Sequence, residues 1–259
     1  MWNVFNHILT VLCFVDLVVI LSNLPISLRT LIPSYLSSPY PHWSDCICHI
    51  AVSSSSFLTV AITIERYLAV CYPINYQIRM TKWTRGSTMA KYLVPAFILS
   101  VSLNIPKILN VVGFLSEDKF DPEYQEMYFK VAISSQIIHP LCTTCIIPII
   151  VLCLLNWQII RGTKRLHSGS LDSSLHKTMT ALVVVFIILN IPKAVLLFLE
   201  VSTIPNILEC HRRKCAYEIS ELRWLADRII RFVVLLNSSL NFIIYCFSGP
   251  SFQVKSLFL

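Results

Sequence analysis

An all-α bundle of membrane-spanning helices is the fold class this sequence predicts, and three observations predict it. Hydrophobic residues fill 55% of the 259 positions, charged residues only 14%, and the mean hydropathy is +0.67, too apolar for a water-soluble domain. Six stretches, near 4–26, 46–71, 92–113, 131–160, 179–200 and 229–247, each supply the roughly 20 apolar residues that crossing about 30 Å of hydrocarbon requires. They are long runs of Leu, Ile and Val in a chain with only five glycines, not the short alternating segments of a barrel, and at that length only a helix satisfies its own backbone in lipid. Residues 1–259 read as one polytopic domain with the bilayer as solvent. The net charge of +7 fits membrane orientation, and basic residues are too sparse to suggest a nucleic-acid partner.

The first span begins four residues from Met1 but is not a signal peptide: no Lys or Arg precedes it, no small-residue cleavage site follows, and Asp16 sits in its middle. A lone aspartate at mid-bilayer needs a cation, a proton or several hydrogen-bond donors. It is either a cation site or a protonated link between helices.

The second span closes in Thr-Ile-Glu65-Arg66-Tyr67-Leu-Ala-Val-Cys71-Tyr-Pro73. An acid beside a base at a helix end is, alone, usually a solvated interfacial pair. The sixth span closes in Asn237-Ser-Ser-Leu-Asn241-Phe-Ile-Ile-Tyr245, polar groups that in oil must face other helices or internal water. After Tyr245 a short amphipathic stretch reads as a helix lying along the membrane surface.

Basic residues in short loops set orientation. Arg66, Arg79, Lys82, Arg85 and Lys91 meet one acid, Glu65, after the second span, and Arg161, Lys164, Arg165 and Lys177 follow the fourth. Both loops, and with them the amino terminus, are expected in the cytoplasm, although Arg212, Arg213, Lys214, Arg223 and Arg228 in the last loop dissent.

Together Glu65-Arg66-Tyr67, its spacing to Cys71 and Pro73, and the terminal motif make this chain resemble the rhodopsin-like (class A) G-protein-coupled receptors over essentially its whole length. The resemblance implies helices two to seven of the seven-helix fold, with the first helix missing. It implies a sodium and activation network of Asp16, Ser55, Asn237, Ser238, Asn241 and Tyr245, with Na+ at Asp16 as the only cofactor. It also implies an Arg66 that is locked by a carboxylate in the resting state, for which Asp172, twenty residues before Pro192, is the candidate, and that meets a heterotrimeric G protein when freed. Phe242, Leu-Leu-Asn156 after Pro148, Leu-Asn104-Ile-Pro106-Lys107 and Leu-Asn190-Ile-Pro192 are similar to the FMRFamide-type neuropeptide receptors of invertebrates. An extracellular peptide is therefore the implied ligand and the plasma membrane the implied location. An amine receptor would want an aspartate where Cys48 stands.

Several features depart from that family. The loop near 113–130 contains no cysteine, so the usual disulfide to the third helix cannot form, and Cys46, only twenty residues before Arg66, suggests a shortened helix. A bridge between Cys210 and Cys215 remains open, since both lie in an outer loop. Cys142 and Cys145 form a C-x-x-C without histidine partners, which argues against metal. Asn190 replaces a tryptophan and Asn156 a tyrosine that the family uses during activation. Ligand contacts are expected from Gln136, Asn190, Lys193, Glu200, Asp227 and Arg231, with the carboxylates receiving basic ligand groups; Asp227 and Arg231, four apart, could instead neutralise each other.

Enzyme, channel and transporter readings lack their signatures: facing nucleophile and base, arginines at every third position, or two related halves. The competing expectation is a truncated receptor fragment that at most associates with a full-length relative, because the first helix and a Ser/Thr-rich tail are missing from the sequence.

Overall fold

A computed structural model describes residues 4–28, 40–82, 85–114, 138, 141–166, 170–213 and 221–248. Among them every regular element is helical: α1 (Val4–Leu28), α2 (Tyr40–Cys71), α3 (Pro73–Lys82), α4 (Arg85–Leu103), α5 (Ile105–Phe114), a π-helical turn (Leu141–Ile146), α6 (Ile147–Leu166), α7 (Ser170–Val201), α8 (Ile204–Arg212) and α9 (Glu221–Ser248). Five of these helical stretches, Val4–Ile26, Trp43–Cys71, Gly86–Leu103, Leu141–Gly162 and Val183–Val201, are long and apolar enough to cross a membrane, and α9 adds a sixth long helix of 28 residues.

α2 is the axis of the bundle. It packs against α1, α4, α5, α6 and the π turn, and 61% of its spanning window is buried against 17% for α4. The sequence shows why: Ser53, Ser54, Ser55 and Ser56 occupy four successive positions and therefore point all round the helix. Each finds a partner in a different direction. Ser54 and Ser56 donate to the carbonyls of Ile50 and Val52, at 2.8 and 3.0 Å, Ser55 donates to Asp16, and Ser53 accepts from Asn104 Nδ2 at 3.1 Å. Small polar residues with satisfied hydroxyls let neighbouring helices approach closely. Ile8, Leu12, Val15 and Val19 of α1 bury against Leu58 and Ile62 of α2 and Ala96 of α4. On the opposite side of α1, Phe14, Leu17, Leu21 and Leu24 are exposed, the face a spanning helix turns to lipid.

Prolines punctuate the helices where they remove a donor. Pro73 cannot extend the α2 ladder, and α3 starts there, with Tyr76 N–H donating to the Tyr72 carbonyl at 2.9 Å. The stretch predicted as one span over 92–113 is two helices, α4 and α5, joined by a turn at Asn104. Pro106 sits in the first turn of α5, where its missing N–H is not needed, and the Asn104 carbonyl accepts from Lys107 and Ile108. Pro192 lies inside α7, and Asn190 Nδ2 donates to the Phe186 carbonyl at 2.8 Å just before it. Pro148 follows the π turn, whose Thr143, Thr144 and Cys145 are all buried. A π turn inserts an extra residue and re-aims side chains.

The shortening expected of the helix that carries Cys46 is not observed. α2 runs 32 residues from Tyr40, so the early position of the cysteine reports a displaced residue and not a missing turn.

At the Glu65 end, Trp157 is exposed and carries the Arg161 guanidinium 3.8 Å over its ring, a pairing suited to the membrane edge. At the next residue, a Cβ on Gly162 would lie 2.9 Å from Cys71 Sγ. Gly162→Ala gains up to about 1 kcal/mol of helix propensity but overpacks this contact at about 1–3 kcal/mol. Melting of purified variants is expected to show Gly162→Ala neutral or destabilising in the native chain. In a Cys71→Ala background it is expected to stabilise by about 0.5–1 kcal/mol.

Candidate functional site

Three polar centres follow one another along the bundle interior. In the middle, Asp16 is 3% exposed. Ser55 of α2 donates to its Oδ1 at 2.7 Å and Asn241 of α9 donates to its Oδ2 at 3.1 Å, while Ser238, one turn earlier on α9, also approaches the carboxyl. Residues 39 and 225 positions away in sequence thus converge because Asp16, Ser55 and Asn241 each lie on the inward stripe of their helix. Asn237, on the same side of α9, keeps Oδ1 buried and, among the described residues, without a hydrogen-bond partner. It lines a small cavity together with Ser55, Ser56, Asn190, Lys193 and Ser238. A carboxylate, two hydroxyls and an orphaned amide oxygen form the all-oxygen donor set that a hard cation takes, so these residues fit Na+.

At one end of the bundle Glu65 is completely buried and is not a solvated interfacial acid. Its Oε2 lies 3.2 Å from Arg66 Nε, without the alignment of a hydrogen bond, and its Oε1 accepts a hydrogen bond from the Tyr76 hydroxyl of α3. Burial, and then the charge of Glu65, pushes the Tyr76 phenol well above its usual range, so it stays a donor. The Arg66 guanidinium lies 3.7 Å over the ring of Phe5 in α1, a cation–π contact. Tyr67 packs edge-on against Tyr72, centroids 5.8 Å apart. Arg66 is therefore held from two sides by groups that run through α2 and α1.

At the other end Asp45 is shared by three basic side chains. Lys107 Nζ of α5 and Arg231 Nη1 of α9 each lie 3.5 Å from one of its oxygens, and His49 Nε2 lies 3.7 Å away. Sequence reasoning missed this cluster. On α2 it weighed a carboxylate only at Cys48, which instead accepts from Asn23 Nδ2 at 3.0 Å, and overlooked Asp45 almost one turn earlier on the same face. Lys193 of α7, 6% exposed, donates to Thr144 Oγ1 of the π turn at 2.8 Å.

The family model described as "7 transmembrane receptor (rhodopsin family)" matches residues 1–245. The chain belongs to the rhodopsin family of seven-transmembrane receptors. This is a receptor family and not an enzyme family, and its members cross the membrane several times, in keeping with the long apolar helices. Among curated proteins the chain is similar to an FMRFamide receptor of Drosophila melanogaster, 25% identical over 98% of this chain and 47% of the relative. The chain spans about half the length of that relative.

For a rhodopsin-family chain the residues singled out from sequence fall into two groups. Asp16, Ser55, Ser238 and Asn241 are brought together, with Asn237 beside them, and Asn190 and Lys193 share the cavity. Arg231 meets Asp45, which sequence spacing did not suggest. Glu200 is half-buried on α7, seven residues past Lys193. Cys210 takes part in a disulfide, and its partner lies outside the described residues, as does Cys215. Gln136 also lies outside them, as do the side chains of Asp172, Asp227 and Tyr245 within α7 and α9.

Proposed function

We propose that this chain is a receptor that takes an extracellular neuropeptide and drives a heterotrimeric G protein at the plasma membrane. The observation that carries the reading is the polar seam through the bundle: Asp16 ties α1, α2 and α9 together through Ser55 and Asn241, in line with the buried Glu65–Arg66 pair at one end and the Asp45 cluster at the other. Buried polar networks have discrete arrangements, and a ligand at one end can bias which of them is populated.

In this reading the Asp45 end faces outward, and Asn190, Lys193, Glu200, Arg231, Gln136 and Asp227 surround the peptide. The Glu65 end faces the cytoplasm, as the basic loops indicate. Arg66, once released from Glu65 and Phe5, meets the G protein, and Asp172 adds to its restraint. Na+ held by Asp16, Ser55, Asn237 and Ser238 supplies a counter-charge that favours the resting arrangement. The relative's name supports a peptide of the FMRFamide kind as ligand. In the same reading Tyr245 belongs with the Asp16 network and Tyr67 with the G-protein contact, as the family resemblance implies.

Cells that carry the chain at their surface, loaded with calcium and cyclic-AMP reporters and challenged with amidated peptides, test the reading. A response that Arg66→Ala removes without lowering surface amount is expected. Silence of the native chain despite surface delivery would count against it.

A further inference from the structure

The outward face of α6 changes character along its length. Ile150, Leu154 and Trp157 are each about half exposed and Arg161 is exposed, and their spacings of four, three and four residues set them on one stripe of the helix. Gln158 and Gly162, on the flank of that stripe, rest on α2: Cys71 Sγ lies 3.7 Å from the Gln158 carbonyl and close to Gly162. The stripe therefore points away from the bundle, apolar along the bilayer and cationic where it ends.

Its cationic end is held in place. The Arg161 guanidinium lies 3.8 Å over the Trp157 ring. That contact uses the aromatic face and occupies none of the five N–H donors of the guanidinium, and among the described residues no carboxylate or other side-chain acceptor meets them. A guanidinium so seated has little freedom left to lose, and its fork takes two oxygens of one phosphate, which a lysine ammonium does not. The adjoining sequence adds charge of the same sign, because Lys164, Arg165 and Lys177 follow with Asp172 as the one acid among them. The field at this end of α6 is positive.

We infer that Arg161, seated on Trp157, binds the phosphate of an anionic phospholipid whose acyl chains lie along Leu154 and Ile150. A soluble phosphate would meet the fork but leave the apolar stripe unused, and the trimethylammonium of a phosphatidylcholine would be repelled by the basic loop. Anionic lipids are concentrated in the cytoplasmic leaflet, the side on which the receptor reading places this end of the bundle. The lipid site itself rests only on the chain's crossing a membrane. Arg161 selects the headgroup, and Trp157 is its positioning residue.

Native mass spectrometry of the full chain in detergent counts bound lipids directly, with size-exclusion checking the fold. Phosphatidylserine is expected to bind at least about fivefold more tightly than phosphatidylcholine of the same acyl chains. Arg161→Gln is expected to weaken phosphatidylserine at least about tenfold, through loss of the charge and of a hydrogen bond. Arg161→Lys, which keeps the charge and loses the fork, is expected to weaken it about two- to tenfold. Arg85→Gln removes an equal charge from another inner loop and is expected to bind as the native chain does. If Arg161→Gln fails to fold, the lysine variant and the lipid preference of the native chain decide. Equal binding of the two lipids, or a glutamine variant that binds phosphatidylserine as the native chain does, would overturn the assignment. So would a lysine variant indistinguishable from the native chain or an equal loss in Arg85→Gln, since either would reveal a diffuse basic surface. Displacement of the lipid by an equal concentration of glycerophosphoserine would replace the lipid by a soluble phosphate as occupant. Neither peptide nor G protein enters this readout, so a silent chain that binds the lipid through Arg161 contradicts only the receptor reading.

Discussion

Asp16→Ala is expected to lower the stability of the purified chain by about 2–4 kcal/mol, because it strands two buried donors at once. Ser55 and Asn241 each point an N–H or O–H at the carboxylate, at 2.7 and 3.1 Å. Deleting the acceptor leaves both desolvated. Ser55 can turn its hydroxyl to a carbonyl one helical turn back, as Ser54 and Ser56 do, which limits the loss; Asn241 has no equally short escape. Asp16→Asn keeps the acceptor facing Ser55 but opposes one amide N–H₂ to another at Asn241, and a loss of about 1–2 kcal/mol is expected. Thermal melting in nanodiscs measures both. Replacing choline chloride by sodium chloride is expected to raise the melting temperature of the native chain and to leave Asp16→Ala unmoved, since a ligand stabilises only the protein that binds it. The same sodium shift in both would remove the cation from this site.

Glu65→Gln is expected to raise ligand-independent signalling about five- to thirtyfold, the population change that follows from losing a charge pair of about 1–2 kcal/mol. Glu65 is fully buried, so its attraction for Arg66 at 3.2 Å is poorly screened by water. The glutamine keeps an oxygen for the Tyr76 hydroxyl and removes the charge alone. Phe5 still holds the guanidinium from the other side at 3.7 Å, so Phe5→Leu added to Glu65→Gln is expected to raise the basal signal further. Basal cyclic-AMP or calcium output, normalised to surface amount, reports both changes.

Much of this was legible in the sequence because polar residues are conspicuous in oil. Asp16 stood out because a lone carboxylate in an apolar helix needs donors from its neighbours, and the family resemblance then assigned Ser55 and Asn241 to the same site. The paired Glu65 and Arg66 were equally plain, although burial of the acid was not: a carboxylate six residues from a helix end looks solvated until Tyr76 folds back from α3. Phe5 was illegible for the opposite reason, because an aromatic ring in an apolar span gives no signal of the cation it will meet.

The Asp45 cluster shows a different limit. Two of its members, Lys107 and Arg231, lie 62 and 186 positions from Asp45, and Arg231 had a plausible neighbour four residues away in Asp227, so local spacing drew attention to the wrong pair. Lys107 read as the polar close of one long span, whereas the turn at Asn104 swings it onto α2. The short helices α3 and α8 went unread because each is under three turns long and carries a proline in its first turn, which reads as a loop signal.

In the proposed receptor, the buried Glu65–Arg66 pair is a restraint whose release lets Arg66 engage a G protein. Nucleotide exchange on purified heterotrimers, one from each main α-subunit class, tests it most directly when driven by native, Glu65→Gln and Glu65→Gln/Arg66→Ala chains in nanodiscs. The expected result is faster exchange with Glu65→Gln than with the native chain for at least one heterotrimer, and a return to the receptor-free rate when Arg66 is also removed. Folded chains that leave every heterotrimer at its receptor-free rate, or exchange that persists without Arg66, would contradict it.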